Sequence, residues 1–157
     1  MSGAYCAAKG IAMSKYRSHV GRDFDLMLAG EKPLAMFYGD ADAEPDERII
    51  PEERFDKHVQ AGGFIKRAFV FECAVDPRTK MPVRVKYVLY AAASEEWRIA
   101  AMRLALDTMM TMGQADEGLD RIIASLLGYS LEEINDLVAS SRKQYAALAL
   151  RDHAGAG

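Results

Sequence analysis

The fold is decided by residues 64–91, FIKRAFVFECAVDPRTKMPVRVKYVLYA. Two apolar-rich runs, 64–75 and 82–91, flank a turn built on Asp76, Pro77, Arg78, Thr79 and Lys80. In the second run Val83, Val85, Tyr87, Leu89 and Ala91 share one parity, and the other parity begins with Arg84 and Lys86. A strand repeats every two residues, so the pattern predicts one apolar and one wet face. The first run agrees, with Phe69, Phe71, Cys73 and Val75 on one parity and Lys66 and Glu72 on the other. An antiparallel hairpin with a cationic wet face follows.

Outward from the hairpin the chain turns helical on both sides. Towards the N-terminus, Pro51 with Glu52 and Glu53 behind it suits a helix start, because the N-terminal dipole favours carboxylates. That helix carries Phe55 and Val59 and stops at Gly62 and Gly63. Ile49 and Ile50 read as a short extended piece. Residues 34–38, LAMFY, form a short apolar run between Pro33 and Gly39 and read as a buried strand. A helix is predicted over 14–29 on the spacing of Tyr16, Val20, Phe24, Met27 and Leu28, with Gly30 as its stop. Residues 1–13 read as a poorly ordered extension of one domain spanning 14–152.

Towards the C-terminus three helices are expected. Ser94 with Glu95 and Glu96 predicts the first, striped by Trp97, Ala101, Leu104 and Ala105 and broadened by Met102, Leu106, Met109 and Met110, up to Gly113. Residues 119–127 form the second, closed by Gly128. Ser130 and Glu133 have capping-box spacing and open the third, which runs through Ile134, Leu137, Val138, Tyr145 and Leu148 into a small mobile tail at 153–157. The architecture is α+β: a small sheet packed by N-terminal helices and a three-helix C-terminal half.

Half of the 157 residues are hydrophobic and 27% are charged, as in ordinary globular domains. No apolar run reaches the roughly 18 residues of a membrane span, and no apolar signal core opens the chain. Cys6 and Cys73 therefore read as reduced thiols, and the alanine-rich composition suits a bacterial cytoplasm. The net charge of −3 conceals a segregation: residues 40–53 sum to −6 and residues 54–91 to +5.

Sequence fragments that carry chemistry elsewhere fail on context. Tyr5 and Lys9 have the Tyr-x-x-x-Lys spacing that resembles the catalytic pair of short-chain dehydrogenases, yet no glycine-rich turn precedes them. Gly30-Glu-Lys-Pro33 resembles a zinc-finger linker without flanking ligands. Residues 127–134, LGYSLEEI, resemble a segment of PAS sensor domains, whose further strands have no counterpart here; a helix stop and capping box explain it. Asp40, Asp42, Glu44 and Asp46 alternate as calcium-loop ligands do, but Pro45 and Pro51 replace the Gly and Glu such a loop needs. A unit of His58 with Glu72 or Cys73 is a geometric matter that sequence does not supply. No metal or cofactor is expected.

Elimination leaves surfaces. Lys66, Arg84, Lys86 and Tyr90 on the hairpin, and Asp40, Asp42, Glu44 and Asp46 in the acidic loop, are the candidate contact residues. The leading expectation is a non-catalytic protein-interaction protein, such as a regulator, inhibitor or accessory subunit. The first alternative is a small-molecule-binding domain or motif-poor enzyme, marked by a pocket between sheet and helices with His58, Glu72 or Arg67 inside it. The second is nucleic-acid binding, with Tyr90 stacking a base beside the cations. The seam Leu131, Ile134, Val138, Tyr145 and Leu148 suits a homodimer or packing within the chain. On this reading the cationic face meets a partner, the chain's own acidic loop, or water.

Overall fold

The computed structural model describes residues 19, 21–76, 78–112 and 116–154. The extension at 1–13 with Tyr5, Cys6 and Lys9, most of 14–20 including Tyr16 and Val20, Pro77, Gly113 and residues 155–157 lie outside them. Among the described residues the chain forms five α-helices and one three-stranded antiparallel sheet, an α+β fold with the longer helices in its C-terminal half. The order is α1 (Asp23–Leu28), β1 (Leu34–Asp40), α2 (Glu52–Gln60), β2 (Phe64–Val75), β3 (Pro82–Ala92), α3 (Trp97–Met112), α4 (Glu117–Leu126) and α5 (Leu131–Ala154). None of these helices is long and apolar enough to cross a membrane.

The hairpin forms over the expected residues, and its parity holds for Phe69, Phe71 and Cys73 but not for Val75, which lies beyond a bulge and is 57% exposed. Phe69 stands opposite Tyr87 and Phe71 opposite Val85, and a register shift between Glu72 and Ala74 absorbs one residue. The Asp76 carboxylate closes the turn by accepting from the N–H groups of Arg78 (2.7 Å) and Thr79 (3.2 Å). β3 is central, in the order β1-β3-β2, so the strand that opens the hairpin's return also receives β1. Leu34 pairs with Ala91 and Asp40 with Val85, which extends β1 two residues past the apolar run that announces it. Ile49 and Ile50 lie in a turn and not an extended piece, both N–H groups bonding Asp46 O at 2.9 Å.

Val85, Tyr87, Leu89 and Ala91 pack against Ile99, Met102, Ala105 and Leu106 of α3 and Ile123 and Leu126 of α4. The other parity is wet only at its first half. Val88 and Tyr90 are fully buried, joined by Ala35 and Phe64, under Phe24 and Met27 of α1 and Phe55 of α2. The sheet is therefore a middle layer with helices on both faces. One-sided parity misses this because the charges at 84 and 86 come first, while the residues that follow are apolar enough to be covered.

α3 departs from expectation in which side it buries. Met102 and Leu106 are core, whereas Trp97 is 58% and Leu104 68% exposed. A helix apolar on most of its circumference carries no period strong enough to choose a face. Trp97 is instead laid along the surface, its indole N–H on Glu95 (3.1 Å) and the Arg98 guanidinium 4.7 Å from its ring. Residues Ala93–Glu95 form a 3-10 turn, so Glu95 and Glu96 precede the α-helix. Asp116 caps α4 by accepting from Leu119 N–H at 2.8 Å. The capping box holds: Ser130 N–H donates to Glu133 (2.8 Å) and Glu133 N–H to Ser130 Oγ (3.3 Å). Ile134 and Leu137 pack on Ala124 of α4, which occupies the first half of the proposed seam within the chain; Leu131 is exposed, and the side chains of Tyr145 and Leu148 lie outside the described residues.

Candidate functional site

The cationic face is engaged within the chain. Lys66 Nζ bonds Glu52 Oε2 at 2.7 Å and Asp56 Oδ1 and Oδ2 at 2.9 Å, and Lys86 Nζ bonds Glu52 Oε1 at 2.9 Å. Arg84 reaches Asp42 at 2.7 Å. Each acid precedes the hairpin in sequence and is delivered by the loop after β1 or by α2; Asp42 and Glu52 bring the −6 segment against the +5 segment, while Asp56 belongs to the +5 segment itself. Burial opposes the Lys66 charge, yet the two carboxylates outweigh it and raise its pKa. The same bond from Lys66, against partial burial, lowers the pKa of Glu52.

Tyr90 corrects the stacking expectation. It is 0% exposed, its ring 4.3 Å from that of Phe55, and its hydroxyl donates to Asp56 at 3.3 Å. Burial raises its phenol pKa. With no exposed area, the ring offers no face to a base. In the acidic loop, Asp40 accepts from Asp42 N–H (2.9 Å), Asp46 holds Arg48 at 2.7 Å, and Glu44 is exposed with no ion pair among the described residues. The hydrogen bonds of Arg48 bring the Asp46 pKa down to about 2. Asp40, Asp42 and Asp46 thus have separate partners, and no three His, Cys, Asp or Glu side chains among the described residues are grouped to hold a metal.

His58 packs edge-on against Phe24 at 5.0 Å and lies 5.5 Å from the Phe64 ring on the α2 side. Cys73 belongs to the other face of the sheet, its Sγ 3.8 Å from Met110 Sδ, and Arg67 pairs with Glu96 at 3.2 Å. The structure therefore does not bring together the His–Cys or His–Glu unit.

What it does build is a cleft of about 470 Å³ along the free edge of β1. Phe24, Phe37, Tyr38, Phe55 and Tyr129 supply aromatic walls, with Met36, Ile49 and Leu127 between them. The polar groups at the walls are few: Asp23, Lys32, Glu47, Arg48 and Arg54. Arg54 places its Cζ over the Phe24 ring, 4.1 Å from its centre, and pairs with Asp25. The edge itself adds four main-chain groups. Ala41 N–H bonds Arg84 O and Ala92 N–H bonds Pro33 O, so in this register Ala35, Phe37 and Gly39 exchange hydrogen bonds with β3. The N–H and C=O of Met36 and Tyr38 consequently point away from the sheet, with no partner among the described residues.

One wall carries a buried lysine that the sequence gives no sign of. Lys32 is 2% exposed, and its Nζ lies 3.1 Å from His19 Nδ1, 3.2 Å from Leu127 O and 3.5 Å from Asp23 Oδ1. His19 stacks on Tyr129 at 4.2 Å, and its Nε2 faces Glu133 at 3.8 Å. Burial lowers the Lys32 pKa against the pull of Asp23 and Glu133. Burial and the Lys32 charge lower that of His19, with Glu133 opposing. The segment is held by a close approach: Gly128 has φ +85°, and a Cβ there would lie 2.4 Å from Pro33 Cδ. Comparison with protein-family models, with curated proteins and with solved structures finds no match, so the cleft is interpreted from its own chemistry.

Proposed function

We infer that this domain binds a small, flat, largely apolar molecule in the cleft beside β1. The observation that carries the reading is the union of aromatic walls with four main-chain groups of Met36 and Tyr38 that have no partner among the described residues. Ligand sites are concave, of roughly 300–1,000 Å³, mostly apolar, with a few convergent polar groups that orient the ligand. The volume of about 470 Å³ falls inside that range. The expected pocket with His58, Glu72 or Arg67 inside it is replaced by one lined from α1, β1, α2 and the α4–α5 turn. Titration with benzyl alcohol or indole, followed by amide NMR, tests it. Saturable shifts at Met36 and Tyr38 are expected, weakened in Ile49→Trp, which narrows the mouth at an exposed side chain. No saturable shift at millimolar ligand refutes it.

A second reading, contact with a protein partner, is favoured by the same open edge, because an extended peptide can add a strand to it. Such a partner would protect the Met36 and Tyr38 amides from hydrogen exchange while small apolar molecules fail to do so.

A further inference from the structure

Lys32, one of the side chains that line an apolar cleft, buries its primary amine, a placement lysine rarely takes unless paired. A neutral amine has two N–H donors and one lone pair. Leu127 O and Asp23 Oδ1 stand where they accept the two N–H groups, and His19 Nδ1, 3.1 Å away, is placed to take the third proton of the ammonium. Glu133, 3.8 Å from His19 Nε2, faces the imidazolium this would form. Arg22 and Asp23 complete the charges acting on that ring. Desolvated lysines in apolar pockets are the nucleophiles of Schiff-base chemistry, because burial favours their neutral form.

We propose that Lys32 condenses reversibly with an aldehyde or ketone seated in the cleft, so that the ligand class is a flat carbonyl compound. This rests on the small-ligand reading above. In the step, the Nζ lone pair forms a bond to the carbonyl carbon and the C=O π pair moves onto oxygen. A proton passes from nitrogen to that oxygen to give the carbinolamine. The nitrogen lone pair then forms the C=N double bond as the C–O bond breaks, and the hydroxyl leaves as water on taking the proton that His19 had drawn from the ammonium, which gives an iminium. The iminium proton stays on nitrogen opposite Asp23 or leaves to His19. No oxidant or reductant enters the balance.

The test uses the whole chain at neutral pH with benzaldehyde and cyanoborohydride, which reduces any imine to a stable benzyl adduct, followed by peptide mapping. Labelling at Lys32 at least tenfold above that at exposed Lys57 and Lys80, and suppressed by benzyl alcohol, bears the proposal out. Labelling at Lys32 no greater than at those two overturns it. Selective labelling that benzyl alcohol leaves unchanged overturns it as well, since capture then occurs outside the cleft. Where labelling fails, amide shifts with benzyl alcohol at Met36 and Tyr38 show separately whether the small-ligand reading stands. Lys32→Arg keeps a charged donor for Leu127 O and Asp23 but forms no imine, and its labelling at Lys57 should match the parent chain.

Discussion

Removing Lys66 is the sharpest probe of the clamp between the acidic and basic segments. Lys66→Met keeps the apolar stem beside Tyr90 and deletes the bonds to Glu52 and Asp56. Glu52 retains Lys86, whereas among the described residues Asp56 keeps the Tyr90 hydroxyl alone. Hydrogen bonds to charged groups are worth about 1.5–3 kcal/mol, and exposed ion pairs no more than about 1 kcal/mol. Lys66 is 24% and Glu52 28% exposed, so the pair lies between these limits. A total loss of about 2–3 kcal/mol follows, or roughly 4–12 °C in Tm at about 2–4 °C per kcal/mol for a chain of this size. Urea denaturation of Lys66→Met, Glu52→Gln and the double variant measures the pair directly, and a coupling of about 1–2 kcal/mol is expected. The pH dependence has a defined sign. The Glu52 pKa is lowered from 4.5, so its contribution is complete above that value and lost as pH falls through the folded pKa. The Lys66 pKa is raised from 10.5, so its contribution is complete below that value and lost only as pH rises through the folded pKa. Between the two the coupling should be flat. A coupling below about 0.3 kcal/mol at neutral pH, within the additivity of independent sites, refutes the clamp and returns the cations to solvent.

Two further outcomes follow from the Lys32 wall. The His19 pKa is lowered from 6.5 on folding, so the unfolded chain binds the proton first and stability falls as pH drops from above 6.5 through the folded value; His19→Gln should lose less Tm over that interval than the parent chain, and equal slopes in thermal scans would remove the effect. Gly128→Ala forces a left-handed backbone on alanine and drives its Cβ into Pro33; the expected cost is roughly 2–4 kcal/mol from strain plus overpacking, and a variant within about 0.5 kcal/mol of the parent in urea would show that the segment relaxes freely.

The hairpin, the helix after Pro51 and the capping box at Ser130 were legible because each is written in local spacing: period two, a proline with carboxylates behind it, and a Ser-x-x-Glu. The destinations of the charges were half legible. Segregation into −6 and +5 segments showed that they could meet, but not that Glu52 would stand between Lys66 and Lys86. Tyr90 was misread because parity assigns a face and is silent on what covers it. Lys32 was invisible for a different reason. Its acceptor Leu127 O is supplied 95 residues later, by a helix end whose carbonyls need partners, and nothing in Glu31-Lys32-Pro33 marks that meeting. The cleft was equally unreadable, since its walls come from five separate stretches of chain.

The central position of β3 also sets an order of events. β1 ends at Asp40 and its partner strand among the described residues begins at Pro82, whereas β2 and β3 are joined by a short turn. Closing the longer loop costs more entropy, and during synthesis β1 leaves the ribosome well before any strand exists to receive it. Until then Met36 and Tyr38 belong to a strand open along both sides, and the growing chain must keep the apolar run 34–38 from pairing elsewhere. In the finished domain one of those sides has no partner strand among the described residues, and the cleft has been built around it.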